Sequence, residues 1–124
     1  MLQFTAMSNN KATGDEGEEL AATYLQQNGY NILERNWRHR RWEVDIIASK
    51  GKFLHIFEIK TRTSNRYGNP EESIGREKMD CMKNAAEEYQ YQHPQWKFLQ
   101  FNVLAITMHY GEPIEYFLIE DVYF

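Results

Sequence analysis

Two runs rich in Val, Ile and Phe, Trp42 to Ala48 and Phe53 to Thr63, lie on either side of Ser49-Lys50-Gly51-Lys52. Runs of this kind are strands, and a short connection containing glycine folds them into an antiparallel hairpin. Side chains alternate across a strand, so Glu43, Asp45 and Ile47 are expected on one face of the first strand and Val44, Ile46 and Ala48 on the other. By the same rule Leu54, Ile56, Glu58 and Lys60 share a face of the second. A two-residue loop at Lys50 and Gly51, or a four-residue loop over 49–52, sets Asp45 opposite Ile56 and Glu43 opposite Glu58, with all four polar groups on one face. A three-residue loop would separate the two sets.

The rest of the chain supplies a sheet's other parts. Thr13 followed by Glu16 is a capping-box signature and Gly29 a natural stop, so 14–28 is expected to be helical. Its buried stripe is Leu20, Ala21, Tyr24 and Leu25, and Glu18 lies beside Ala21, Ala22 and Leu25. Tyr30 to Asn36 resembles a short strand. Residues 64–69 are expected as a loop, after which Asn69, Pro70 and Glu72 open a helix reaching about Gln92, with Pro94 beyond it. Ile74, Lys78, Cys81, Met82, Ala85 and Tyr89 share one face of it, which places a lysine on the buried stripe. Trp96 to Ile106 and Ile114 to Ile119 complete the strands. The order of helix, three strands, helix and two strands predicts an α/β fold, a single sheet with helices packed on it.

Length and composition narrow the class. The 124 residues suit one domain, expected over 13–124, with 1–12 as a flexible lead-in that lacks the features of a secretory signal. The longest apolar runs are four residues, Val103 to Ile106 and Tyr116 to Ile119, against the roughly 20 that span a bilayer, so no membrane association is expected and the cytoplasm is the default. The single cysteine, Cys81, can form no internal disulfide and is expected as a reduced core thiol.

The net charge of −4 argues against a nucleic-acid partner, but its distribution argues for one. Between Arg35 and Lys83 lie twelve of the fourteen Lys and Arg and only seven of the eighteen Asp and Glu. The densest part, Arg35, Arg38, Arg40 and Arg41 with Trp37 and Trp42 interleaved, offers cations for phosphates and rings for stacking, and Arg62 and Arg66 extend it. A solvated loop whose tryptophans pack on the core would carry the same residues. On the hairpin, carboxylates facing one another call for a cation between them, and Mg²⁺ or Mn²⁺ would satisfy Asp45 and Glu58 while leaving room for water and phosphate oxygens. Lys60 could then orient or deprotonate the attacking water of a phosphodiester hydrolysis. An acid-x-lysine triplet alone arises readily by chance, and an exposed face of alternating charge explains it without catalysis; the convergence of Glu18, Glu43, Asp45 and Lys78 on it favours chemistry.

The runs Gly14-Asp-Glu-Gly-Glu18, Tyr24-Leu25, Gly29-Tyr30, Asn36-Trp37-Arg38, Glu43-Val-Asp45-Ile-Ile-Ala48 and Phe57-Glu58-Ile-Lys60-Thr-Arg62 resemble the YraN-like family of small bacterial proteins. Tyr67-Gly68-Asn-Pro70 and Lys78 continue the likeness, which covers about residues 13–107. That family is similar to archaeal Holliday-junction resolvases and to the restriction-endonuclease-like superfamily, whose signature is an aspartate followed by acid-x-lysine on a hairpin. The resemblance implies a mixed sheet flanked by helices, Asp45 and Glu58 as metal-ligating acids, Lys60 as the catalytic lysine, Glu18 as an assisting glutamate, and Glu43 and Lys78 in support. Two positions depart from the pattern: Trp42 stands where the family usually has glycine, and Asn102 where an aspartate commonly begins the later strand. The implied activity is a Mg²⁺-dependent endonuclease acting on DNA, branched or structured, and cleavage of two strands would favour a homodimer. The alternatives are a nucleic-acid-binding module that cuts nothing, or a protein-interaction domain with Trp37, Trp42 and Tyr67 as its anchors.

Overall fold

The computed structural model describes residues 10–63, 75–109 and 111–122, with side chains described from 15 onward. The first helix, α1, runs over Asn10–Gln27, one turn earlier than the Thr13 signature predicts. Lys11 and Ala12 are good helix formers, so the helix continues back through Thr13 into the stretch expected as lead-in; residues 1–9 lie outside the described residues. Gly29, at φ 90°, closes the helix in the left-handed region that glycine occupies without a Cβ penalty. Strands β1 (Asn31–His39), β2 (Trp42–Lys50) and β3 (Phe53–Arg62) follow, then helix α2 (Arg76–Gln92) and strands β4 (Phe98–Thr107) and β5 (Glu115–Ile119).

The five strands form one sheet in chain order. Every neighbouring pair is antiparallel except β3 and β4, which are parallel and joined through α2, so the sheet is mixed and the fold α/β as expected. Other boundaries also differ from expectation. β1 continues past Asn36 to His39 and turns at Arg40 and Arg41 directly into β2, which makes the arginine-rich stretch a strand and a hairpin tip. Arg40 takes φ 58° to make that turn. Gly75 is extended and α2 begins at Arg76, so no helix runs unbroken from Pro70; the expected opening at Asn69 and Pro70, Ile74 and the loop 64–69 lie outside the described residues.

The helices cover opposite faces of the sheet. Ala21, Ala22 and Leu25 of α1 pack with Ile46, Ala48, Phe57, Leu104 and Ile106, while Met82, Ala85, Ala86 and Tyr89 of α2 pack with Val44, Ile47, Leu54 and Ile56. Full burial of a residue such as Phe57 is worth about 1.5–3 kcal/mol, so these two layers supply the driving force that holds the helices to the sheet. Cys81 is only half-buried at the margin of the α2 stripe, a correction to its expected place in the core; Met79 turns inward instead.

Gly17 sets how closely α1 approaches β3. A Cβ there would collide with Thr61 Oγ1 and stand 3.1 Å from Thr61 Cβ. Gly17→Ala is therefore expected to lower stability by about 1–3 kcal/mol through overpacking, despite the higher helix propensity of alanine. The readout is the thermal midpoint; a midpoint equal to or above the wild type would mean that Thr61 swings clear at no cost.

Candidate active site

The site begins with the β2–β3 turn. Lys50 pairs with Phe53, so the two turn residues are Gly51 and Lys52, and Gly51 at φ 62° occupies the first central position, where a type II′ turn demands glycine. The register is therefore two residues away from the expected one: Ile47 faces Ile56, and Asp45 comes level with Glu58 one step beyond the last paired positions, Ile46 and Phe57. A shift of two preserves the faces, and Ile47, Leu54 and Ile56 share one face as predicted, the face that α2 covers.

The sheet is distorted where Asp45 sits. The Ile59 backbone N–H, which a continued ladder would direct to the β2 backbone, donates instead to Asp45 Oδ2 at 2.8 Å. In β1 the pairs Arg35 with Ile46 and Trp37 with Val44 flank Asn36, whose φ of 54° is left-handed, a conformation asparagine tolerates better than most residues. Asn36 Nδ2 donates to Glu18 Oε1 at 3.1 Å, which ties α1 to this irregular step. Beyond it the alternation is broken: Val44 joins Ile47 on the α2 side, where strict alternation placed it with Ile46.

Glu58 lies at the centre of the cluster, 7% exposed. Lys78 Nζ of α2 stands 3.3 Å from Glu58 Oε1, and Lys60 Nζ stands 3.6 Å from Glu58 Oε2. Glu58 Oε1 is sealed from solvent, and the Lys78 ammonium meets it there as an ion pair. Burial, with the Glu58 carboxylate beside it, pushes Asp45 up to about 7 against the Ile59 N–H and Lys78, which oppose the shift. Burial alone would depress the Lys78 ammonium, but Glu58 and Asp45, with a smaller contribution from Glu43, hold it above its ordinary value. Glu18 also raises Asp45, by the smallest of these effects, and connects α1 electrostatically to the pair.

Asp45, Glu58, Lys60 and Lys78 are thus brought together, with Glu18 and Glu43 at the periphery. The arginines are spread along the β1–β2 hairpin. Arg35 Nη2 pairs with Glu19 at 3.1 Å, and Arg38 Nε pairs with Glu43 at 3.2 Å, so Glu43 is shared between the hairpin and the site. Arg40 and Arg41 are exposed at the tip, and Arg62 ends β3; Arg66 lies outside the described residues. Trp37 is half-buried edge-on to Tyr89 of α2 at 5.3 Å, and Trp42 packs on the same layer. The interleaved rings therefore anchor the hairpin to the core. Asn36, whose backbone and amide connect three elements here, was visible in the sequence as the end of a strand and as the start of the Asn36-Trp37-Arg38 run, with no role attached to it.

Asn102, one of the two departures from the family pattern, is fully buried in β4. Its Nδ2 donates to Nδ1 of buried His55 at 3.0 Å, and its Oδ1 accepts from the Asp121 backbone N–H and from Gln100, both at 3.1 Å. A carboxylate could not make the first bond. Burial lowers the His55 pKa, with Glu120 opposing and Lys50 reinforcing, and a protonated ring could not accept from Asn102. The folded state thus holds His55 neutral while the unfolded chain takes up a proton as pH falls below about 6.5, so stability is lost on acidification. His55→Gln, which keeps an acceptor for Asn102, is expected to flatten the fall in thermal midpoint between about pH 7 and pH 5; equal slopes would refute the role.

Two carboxylates on parting strands, one with an oxygen sealed from solvent, suit a hard divalent cation in donor type. Among the described residues no group of three or more His, Cys, Asp and Glu side chains is gathered for a metal; an ion at this pair would be completed by water and ligand oxygens. No helix among those residues is long and apolar enough to cross a membrane.

The fold and the site define an α/β protein whose central strands separate around a buried and a half-buried acid flanked by two lysines. The chain belongs to the uncharacterised protein family UPF0102, whose model matches residues 17–106 and so takes in every one of these groups, in agreement with the YraN-like motifs of the sequence. It is 40% identical over 106 residues to a UPF0102 protein of Rhodococcus opacus, covering 85% of this chain and 90% of the relative. A UPF0102 protein of Clostridium perfringens is 38% identical over 101 residues, covering 81% and 83%. One from Flavobacterium psychrophilum is 34% identical over 119 residues, covering 95% and 98%.

Proposed function

We propose that this chain is a Mg²⁺- or Mn²⁺-dependent endonuclease that hydrolyses phosphodiester bonds in DNA, on the pattern of the restriction-endonuclease-like superfamily and the archaeal Holliday-junction resolvases. The observation that carries the reading is the meeting of Asp45 and Glu58 where β2 leaves β3, with Lys60 and Lys78 both within 4 Å of Glu58. A divalent ion there would supply Lewis-acid polarisation of the scissile phosphate. Asp45 and Glu58 would hold it, and the Ile59 N–H fixes the Asp45 carboxylate against rotation. Lys60 orients the attacking water, and Lys78 offsets negative charge that grows on the phosphoryl oxygens. Glu18, through Asn36, keeps the irregular β1 step in place beside Asp45.

A second reading has its own support. Lys60 and Lys78 already offset the charge of Glu58 without an ion, as they would in a nucleic-acid-binding module that cuts nothing. Duplex, single-stranded and four-way DNA, incubated with Mg²⁺, Mn²⁺ or EDTA, separate the two. Products that require the metal support the nuclease. Salt-sensitive binding without products supports the module. Neither binding nor products with any of the three would defeat both.

A further inference from the structure

A second concave feature lies at the other end of β3. A cavity of about 210 Å³ between the β2–β3 turn and the residues entering β4 is lined by Lys52, Gln95, Trp96, Lys97 and Phe98. Its rim is aromatic: Phe98 is 51% exposed, and Phe53, 41% exposed, stands 5.6 Å away between ring centroids. Its lining carries two lysines and no Asp or Glu; Glu120 acts on His55, two residues along β3 from Phe53, from beyond the end of β5. Lys50 is engaged elsewhere, donating to the Asn28 carbonyl at 2.9 Å and lying 4.5 Å over the Tyr30 ring. Lys52 and Lys97 are exposed, and among the described residues neither makes a salt bridge.

Flat apolar rings beside two cations match a ligand that is planar on one side and anionic on the other. We infer that this cavity is a subsite for an unpaired nucleotide of a nucleic-acid strand, with the base stacked on Phe98 and Trp96 and the phosphate between Lys52 and Lys97. The inference rests on the nucleic-acid reading above and names its substrate: DNA in which an unpaired arm adjoins the cleaved region. Phe53 and Glu58 are five residues apart along β3, about 17 Å at 3.3–3.4 Å per residue, so the two sites engage one strand only when the arm is several nucleotides long. An acyl chain fits less well, since the walls are stiff rings and the cavity is small.

The test measures binding of a fluorescein-labelled oligothymidylate and of a duplex by fluorescence anisotropy in EDTA, across a series of salt concentrations. Phe98→Ala is expected to weaken single-strand binding about tenfold, in line with the loss of one base-stacking contact, and to leave duplex binding unchanged. Lys52→Ala combined with Lys97→Ala is expected to reduce the slope of log affinity against log salt by about 1.4, the equivalent of two phosphate contacts on a single strand. Circular dichroism confirms that the variants fold. Unchanged single-strand affinity in both variants overturns the subsite, as does an equal loss for duplex and single strand. Binding of thymidine monophosphate as tight as the oligonucleotide, or of anionic phospholipid vesicles in its place, also overturns it. Glu58→Ala should keep this binding intact while losing cleavage, so a failure of the subsite and a failure of the nuclease reading give different results.

Discussion

Glu58→Ala is expected to reduce Mg²⁺-dependent DNA cleavage by about a hundredfold or more, the scale on which loss of one preorganised charge-stabilising group acts. Glu58 is the residue on which the cluster converges: Lys60 and Lys78 approach its two oxygens, and its charge helps to raise Asp45. Removing it takes away a metal-holding carboxylate and leaves Lys78, half-buried, beside Asp45 alone. Lys60→Ala should lower the rate on a similar scale while leaving metal binding largely in place, because Lys60 contributes no ligand. Isothermal titration with Mn²⁺ and single-turnover cleavage, performed on both variants, distinguish the roles. Uptake of the ion by Lys60→Ala but not by Glu58→Ala is the expected pattern. Full activity in both would remove the cluster from the chemistry and point to a contaminating nuclease.

How much of this could be read from sequence depended on which residues carried the signal. The β2–β3 hairpin was legible because Val, Ile and Phe dominate both strands and a glycine marks the turn, and that was enough to place Asp45 and Glu58 on neighbouring strands. The register was not, because Gly51 can stand first or second in a two-residue turn, and each choice moves the pairing by two residues. The α2 stripe was legible in its apolar spacing, and so was the anomalous Lys78. The continuation of β1 through Arg38 and His39 was hidden, since its pairing is held by packing of Trp37 on Tyr89 and by the Arg38–Glu43 ion pair, neither of which local propensity reveals. The broken alternation at Asp45 was hidden for a related reason. Period-two reasoning assumes a regular ladder, and here a side chain takes the hydrogen bond that a backbone carbonyl would have accepted. The local rule fails at the step where the acids meet.

That failure has an energetic consequence, which Asp45→Asn exposes. Asparagine has nearly the same shape and can still accept the Ile59 N–H through its carbonyl oxygen, but it carries no charge toward Glu58. In the folded protein Asp45 rises from 3.8 to about 7, so the native state retains a proton that the unfolded chain has already released. Stability is therefore unaffected below about pH 4, falls as pH rises toward 7, and stays lowered above that, by up to about 4 kcal/mol for a shift of this size. In EDTA at pH 8, Asp45→Asn should unfold several degrees above the wild type, and the difference should vanish near pH 4. Adding Mg²⁺ or Mn²⁺ reverses the order of advantage: the ion stabilises the wild type by binding only its folded form, while the variant, with one carboxylate left, responds weakly. A charge retained at this cost, stabilising only when a cation arrives, is the behaviour of a binding site. An Asp45→Asn protein less stable than the wild type at pH 8 in EDTA, with an undiminished response to Mn²⁺, would instead make Asp45 a structural cap for the Ile59 N–H.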